Sequence, residues 1–362
     1  MNVTIESPGT TEELAEFLLF QDRINEKRGA WWPAIVPMNL PMLQGEGPAA
    51  SGRRFLPLIA RHNDDAVARV LAVVDERYLT HWGEPLGHTS MFEALPGTED
   101  AVHRLLGEAC GWLREQGVEA ARAGFGIGDF PFAFDAGDVL PPVLIRQNPP
   151  YYHSLLKQAG FESERGWVDY RIEVREELVA RWRGFVDDAR RRGIEVLPLR
   201  DVPQDKRVGT FVDTWNDAFS RHWGVVPQTR EEFGDLVTFL EPLGMLDTSV
   251  IAYKDSEPVG CVWCTPETAS ALASTAPGRE LTPAEKVNFL GIGVREPARR
   301  QGVNLAMAAY AYLELVERGA THVSYTLVLD DNWPSRRTAE KLGASICGNY
   351  MVYRRNFKRP SL

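Results

Sequence analysis

The stretch GIGVREPARRQGVNLAMAAYAYLELVERG, residues 291–319, decides how this chain is read. It opens as an apolar strand, passes through a basic turn, and continues as an amphipathic helix that stops at Gly319. Arg299, Arg300, Gln301, Gly302, Val303 and Asn304 lie where the helix begins. The first amides of a helix have no carbonyl partner within it, and the dipole there is positive, so such a turn attracts anions. Gly302 allows close backbone approach, and the two arginines add charge. A glycine between a strand and a helix is also an ordinary structural device, so the flanking segments must decide between the two.

Working outward, VNFLGIGV (287–294) is the strand that enters this turn. Before it come a basic helix over 176–193 with a solvated linking face, a strand over 194–199, helices over 206–220 and 230–240, and the hairpin TSVIAYKDSEPVGCVWC turning at Lys254–Pro258. After it come the helix to Gly319, the strand HVSYTLVL (322–329), a helix to Gly343 and a last strand. The first half repeats this order. It has a helix over 11–25, a loop-like Pro/Gly-rich passage with Trp31, Trp32, Pro33 and Pro48, and strands over 55–61 and 67–76 joined across His62-Asn63-Asp64-Asp65. A strand over 89–95, a helix over 98–116 with Thr98 as N-cap, a strand over 120–128, a helix over 151–161 and a strand over 167–174 follow. Duplication of one αβ unit is the economical explanation. The expected fold is mixed α/β, with tandem domains over 1–175 and 176–362, each a twisted mixed sheet flanked by helices.

A chain of 362 residues, 44% hydrophobic and 25% charged, has the composition of a folded globular protein large enough for two cores. Forty Lys and Arg against fifty Asp and Glu leave a net charge of −10, which disfavours nucleic acid and anionic membrane as partners. Neither a signal peptide nor an apolar run of about 18 residues is present, so the expected location is cytoplasmic. The four cysteines read as reduced thiols. Cys261-x-x-Cys264 lies in a strand-like run, where residues three apart face opposite sides, and no further Cys or His pair completes a ligand set. No metal is expected.

Arg299-x-x-Gly302-x-Asn304 resembles the acyl-CoA pyrophosphate loop of the GNAT superfamily of N-acetyltransferases, with Asn304 where Gly or Ala is usual. DDNWPSRRTAEKLGA resembles the superfamily's second signature, through Asn332, Ser335, Ala339 and Gly343. The chain as a whole is similar to bacterial tandem GNAT-like proteins through QNPPYYHSLLKQAGF, SYTLVLDDN and the NYMVYRR tail. The resemblance implies acetyl-CoA, or another acyl-CoA, as co-substrate of the second half. Ile292, Gly293 and Val294 would run along the pantetheine arm, with the Ile292 N–H at the thioester oxygen. Arg299 and the amides of Arg300, Gln301, Gly302, Val303, Asn304 and Leu305 would hold the pyrophosphate, and Asn332 and Ser335 would complete the cofactor side.

Acyl transfer to an amine needs a neutral amine, donors for the oxyanion and a proton for the thiolate. The superfamily's usual proton donor is a Tyr at the position of Ala339, so Ser335, Tyr325 or water would have to replace it. Asp330, Asp331 and Glu285 are the candidate bases, although Asp330-Asp331-Asn332 reads equally as a helix-capping turn. His222 and Trp223 fall where the superfamily builds its acceptor wall, and they read otherwise as packing residues. The corresponding helix start in the first half, FEALPGTEDAV, carries Glu99 and Asp100, which would repel a pyrophosphate. That half is therefore expected to be a degenerate copy without CoA. The expected reaction is acetyl transfer to a primary amine of a small molecule or peptide. The competing readings are transfer of a longer acyl group from CoA or a carrier protein, and non-catalytic acyl-CoA binding or scaffolding. No motif assigns an oligomeric state.

Overall fold

The computed structural model describes residues 3–135, 139–143 and 145–357. Its first half runs β1 (Val3–Glu6), α1 (Thr11–Asn25), β2 (Ala30–Trp31), α2 (Val36–Leu43), β3 (Arg53–His62), β4 (Asp65–Asp75), α3 (Glu76–Trp82), β5 (Leu86–Ala94), α4 (Glu99–Glu115), β6 (Ala120–Ala123), β7 (Phe132–Ala133), α5 (Tyr152–Gln158) and β8 (Glu162–Glu173). The second half runs α6 (Glu176–Arg191), β9 (Ile194–Pro198), α7 (Gln204–Phe219), α8 (Arg230–Leu240), α9 (Met245–Thr248), β10 (Val250–Lys254), β11 (Glu257–Thr265), β12 (Ser274–Thr275), β13 (Phe289–Val294), α10 (Val303–Glu317), β14 (His322–Leu329), α11 (Trp333–Leu342) and β15 (Ser345–Asn356). The duplicated order is therefore present, in a mixed α/β fold whose strands form a nine-stranded mixed sheet shared by the two halves and a four-stranded antiparallel sheet of the second half.

Both hairpins turn on two left-handed residues, Asn63 and Asp64 in the first half and Asp255 and Ser256 in the second. That geometry matches the twist of the strands it joins. Glu257 and Pro258, expected in the second turn, instead open β11, and a register shift between Ala252 and Tyr253 sits opposite Pro258.

Two expectations need correction. The Pro/Gly-rich passage contains the helix α2, because Pro37 in its first turn needs no N–H there. The strand expected over 120–128 ends at Ala123, since Gly124 takes φ 89° and a Cβ there would stand 2.7 Å from the Phe132 ring.

In space the strands follow the order β1-β3-β4-β5-β6-β15-β8-β14, with β7 on β15, and a second sheet runs β13-β11-β10-β9. The last strands of the two halves are exchanged. β8 of the first half pairs with β14 of the second, from His322 opposite Glu173 to Leu329 opposite Trp167. β15 of the second half pairs with β6 of the first, from Tyr353 opposite Ala123 to Asn356 opposite Ala120. The expected division near residue 175 is thus crossed by both closing strands.

The helix α10 shows how the second core is built. Ala306, Ala308, Ala309 and Ala311 are fully buried, and such small side chains let α6 and the sheet approach. Met307, Tyr312 and Leu315 fill the remaining space, each apolar side chain stabilising the fold by about 1.5–3 kcal/mol. α6 turns its arginines outward as expected but also buries Trp182, whose Nε1–H donates to the Leu342 carbonyl at 2.9 Å. Cys261 and Cys264 belong to different clusters on the two faces of β11.

Candidate functional site

β13 and β14 lie side by side without pairing as strands. Only side chains bridge them near their starts. The Asn288 amide spans to the backbone of Ser324, accepting its N–H at 2.8 Å, and the Thr326 hydroxyl both accepts the Leu290 N–H at 3.0 Å and donates to the Leu290 carbonyl at 2.6 Å. Since Leu290 turns its backbone groups to β14, alternation along the strand turns those of Ile292 the same way. Among the described residues no hydrogen bond joins the two strands beyond Thr326, so the Ile292 N–H has no partner on β14.

The other face of β13 is covered by α7, which approaches because two glycines lack side chains. A Cβ on Gly291 would stand 2.8 Å from the Trp215 ring, and one on Gly293 would stand 2.9 Å from Ala218 and Phe219. After Val294 the chain makes a short 3-10 turn at Glu296–Ala298 and enters the basic turn. Arg300 (φ 65°) and Gly302 (φ 82°) are left-handed, and Gly302 is the N-cap of α10. Asn304, the position that departs from the signature, is already helical, and its amide donates to the Thr338 hydroxyl at 2.7 Å, tying α10 to α11. The first helical hydrogen bond is Ala306 N–H to the Gly302 carbonyl, so the amides of Val303, Asn304 and Leu305 precede the ladder. A Cβ at Gly302 would meet only Arg192, at 3.7 Å, so the space over the turn is open.

The turn is held from outside by cations that were not singled out in the sequence. Lys254 Nζ donates to Gln301 Oε1 at 2.6 Å, and Arg192 donates to the Gln301 carbonyl at 3.4 Å. Arg299 reaches back to the carbonyls of Val294 and Ala218. Lys254 and Arg192 thus fix Gln301, and Arg299 and Arg300 precede it in the chain, so the helix-start amides follow a cationic turn, an arrangement that can attract an anion. Arg192 and Lys254 come from α6 and from the hairpin, and no local spacing announces them.

The candidate catalytic groups fall into two sets. Tyr325 and Ser335 meet, with their hydroxyls 2.9 Å apart, and burial pushes the Tyr325 phenol up to about 12, so it keeps its proton. Ser335 is placed by Asn332, whose Oδ1 accepts the Ser335 N–H as the cap of α11. The capping reading of Asn332 therefore holds, and Ala339 is buried in the core. The carboxylates, in contrast, are engaged elsewhere. Asp330 turns to β8, its N–H on the Gly166 carbonyl at 3.1 Å and its side chain over Gly166, while Asp331 pairs with Arg165 at the surface. Glu285 caps a 3-10 turn through Thr282, pairs with Arg279 at 2.6 Å and accepts the Leu140 N–H of the first half at 3.3 Å. Against the cost of burial, these partners hold its carboxyl below the usual range.

His222 and Trp223 stand among aromatic rings from both halves. His222 lies 5.3 Å from Phe219 and 6.0 Å from Trp167 between ring centroids, and its Nδ1 is buried without a partner. Burial lowers its pKa, only partly offset by the Trp223 backbone and Asp331, so the ring is neutral at neutral pH. Trp223 is stacked on Phe125 at 5.7 Å, with the Arg122 and Arg165 guanidiniums 4.3 and 5.5 Å from its ring. This loop is fastened by the first half, where His81 Nε2 meets the Ser220 carbonyl at 2.9 Å and Trp82 Nε1–H donates to the Val225 carbonyl at 3.0 Å. Sequence reading also missed Asp169 of β8, buried, accepting the Leu327 N–H at 3.3 Å where β14 bulges, its carboxyl pushed by burial up to about 7.

Residues 210–344 match the model of the acetyltransferase (GNAT) family. This part of the chain is a GNAT-family domain. The whole chain has the tandem GNAT fold. It superposes on a GCN5-related N-acetyltransferase from Sphaerobacter thermophilus with a TM-score of 0.56 at 14% identity, covering 99% of this chain and 97% of that one. It superposes equally, with a TM-score of 0.56 at 11% identity, on a tandem GNAT protein from the clavulanic acid biosynthesis pathway, covering 99% and 100%. In sequence it is 20% identical over 267 residues to protein YghO of Escherichia coli, covering 72% of this chain and 67% of that protein. It is 24% identical over 277 residues to a bacterial ceramide synthase of Caulobacter vibrioides, covering 73% and 70%. Among the described residues no group of His, Cys, Asp or Glu is placed to hold a metal ion, and no helix is long and apolar enough to cross a membrane.

Proposed function

We propose that the protein is an acyl-CoA-dependent N-acyltransferase whose site lies in the second half, with acetyl-CoA as donor and a primary amine of a small molecule or peptide as acceptor. The observation that carries this reading is the β13 edge, unpaired on its β14 side, running into the Gly302 turn at the start of α10. In this reading the turn amides, Arg299 and Arg300 bind the pyrophosphate, with Lys254 and Arg192 holding the loop in shape. The Ile292 N–H faces the thioester oxygen and stabilises the charge that develops as the amine attacks. His222, neutral and with a free Nδ1, takes the proton of the incoming ammonium. Tyr325, through Ser335, supplies the proton that the departing thiolate needs.

The likeness to a ceramide synthase favours a second reading of the same chemistry, in which the donor carries a longer acyl chain. Calorimetric titration of acetyl-CoA, followed by thiol release against an amine panel with a series of acyl-CoA chain lengths, tests both. One binding site per chain and amine-dependent thiol release are expected, and the preferred chain length chooses between the readings. Binding without turnover on any amine would leave a non-catalytic acyl-CoA-binding protein, and no binding would overturn the proposal. His222→Gln is expected to lower kcat/KM by about 100-fold. A base must be deprotonated, so wild-type kcat/KM should hold near neutrality and fall as pH drops through the lowered His222 pKa. That acid limb should vanish in the variant.

A further inference from the structure

The first half contains a cavity of about 380 Å³ that the acyl-CoA chemistry leaves unused, bounded by α1, the segment after Trp31, β5 and the loop carrying Arg146, with Phe239 and Leu272 of the second half closing it. The volume is that of a small-molecule site. Arg69, Glu93, Asp129 and Arg146 line it, two guanidiniums against two carboxylates, all with side chains withdrawn from solvent. Apolar surface completes it, chiefly Trp32, Ile35, Phe130 and Val143.

The polar lining is only partly satisfied. Arg69 donates through Nη1 to the carbonyls of Phe17 and Leu18, and Arg146 donates to Asp129 and to the Phe92 carbonyl, yet the Nε of each has no partner. Gln147 donates through Nε2 to the Ala30 carbonyl at 2.8 Å and leaves its Oε1 without a donor. A native interior rarely leaves such groups unpaired. Two orphan donors and one orphan acceptor in a charge-balanced lining fit one molecule that carries an acceptor and a donor and has no net charge, because an uncompensated charge would be costly there.

We propose that this cavity binds a free α-amino acid with an apolar side chain. Its carboxylate accepts from the arginine Nε groups, its ammonium donates to Gln147 Oε1 and the acidic pair, and its side chain packs on Trp32, Ile35 and Val143. The proposal stands apart from the acyl-CoA reading, since it uses none of the residues of the Gly302 turn.

The test is calorimetric titration of the full chain with L-leucine, L-methionine and L-phenylalanine, beside Val143→Trp, which fills the cavity, and Gln147→Leu, which removes the acceptor. At least one of the three is expected to saturate one site per chain, with affinity at least about tenfold weaker in both variants. A circular dichroism spectrum and melting temperature matching the wild type would establish that Val143→Trp is folded, and Ile35→Trp serves in its place if it is not. Gly302→Glu should leave amino-acid binding intact, which separates this site from the other. No binding by any of the three up to about 10 mM, the weak end of specific recognition, or equal affinity in the filled variants, would overturn the proposal and leave water as the partner of the orphan groups.

Discussion

The two halves place a strand, a turn and a helix in the same order, and they differ at the turn. In the second half residues 295–302 separate β13 from α10, long enough for a 3-10 turn and a left-handed glycine under open space. In the first, only residues 95–98 separate β5 from α4. Thr98 does not cap α4 through its side chain, donating instead to the Leu95 carbonyl at 2.6 Å, and Glu99 and Asp100 occupy the first turn. The neighbouring strand edge differs as well. β5 and β6 pair in parallel only from Leu86 to His88, and beyond that point Arg146 enters from a later loop, donating to the Phe92 carbonyl and to Asp129. The edge of β13 that faces β14 has no strand partner, whereas the end of β5 is occupied by the chain's own Arg146 guanidinium. A shared fold therefore does not carry a shared site.

The comparison can be broken at several points. The largest effect is expected from Arg146→Met, which strands Asp129 and Glu93 in the interior and should cost about 3–5 kcal/mol in denaturant unfolding. A near-neutral result would mean that the plug is dispensable. Next, Gly302→Glu puts a carboxylate at the φ 82° position of the turn and should weaken acetyl-CoA binding by about 100-fold or more. Undiminished affinity would move the cofactor away from this turn. Lys254→Ala should weaken binding by only a few fold, about 1 kcal/mol, because Lys254 acts by holding Gln301, and the loss should shrink as salt is raised. Glu99→Gln with Asp100→Asn should change neither affinity nor stoichiometry, which stays at one per chain. A second CoA appearing in that variant would show that charge alone silences the first half.

The exchanged strand β8 carries its own test. Asp169 titrates near 7 in the folded chain against an ordinary carboxyl when unfolded. Its folded value is raised, so the neutral acid is favoured by the fold, and stability is lost as pH rises through that value. Asp169→Asn should therefore raise the melting temperature at pH 8 and leave it nearly unchanged at pH 4. An equal shift at both values would remove the titration from the account.

The elements that set the fold were legible because their signals are local. The His62-Asn63-Asp64-Asp65 turn is written in neighbouring positions, and its left-handed Asn63 and Asp64 bear it out, whereas the equally local capping box of α1, with Glu13 reaching back to Thr10, went unread. The Gly302 turn was legible through the same locality. What escaped the sequence depends on partners far along the chain. The clamp of Lys254 on Gln301, the fastening of the loop after Ser220 by His81 and Trp82, and the burial of Asp169 each join segments with no shared periodicity. Glu285 misled for a related reason. A carboxylate before a strand looks available until the Arg279 and Leu140 donors that consume it are in place.

The crossing of the closing strands bears on how the chain reaches its native state. Ala123 must wait for Tyr353 before the edge of β6 is covered, and β8 has no second-half partner until β14 exists. A nascent first half emerging from the ribosome would therefore present bare strand edges for most of the time that the second is being made. Contacts of such long separation slow folding and expose edges to misassembly. The protein should gain its last cooperative structure only after residues 345–356 have been synthesised, and chains truncated before β15 should be prone to aggregation.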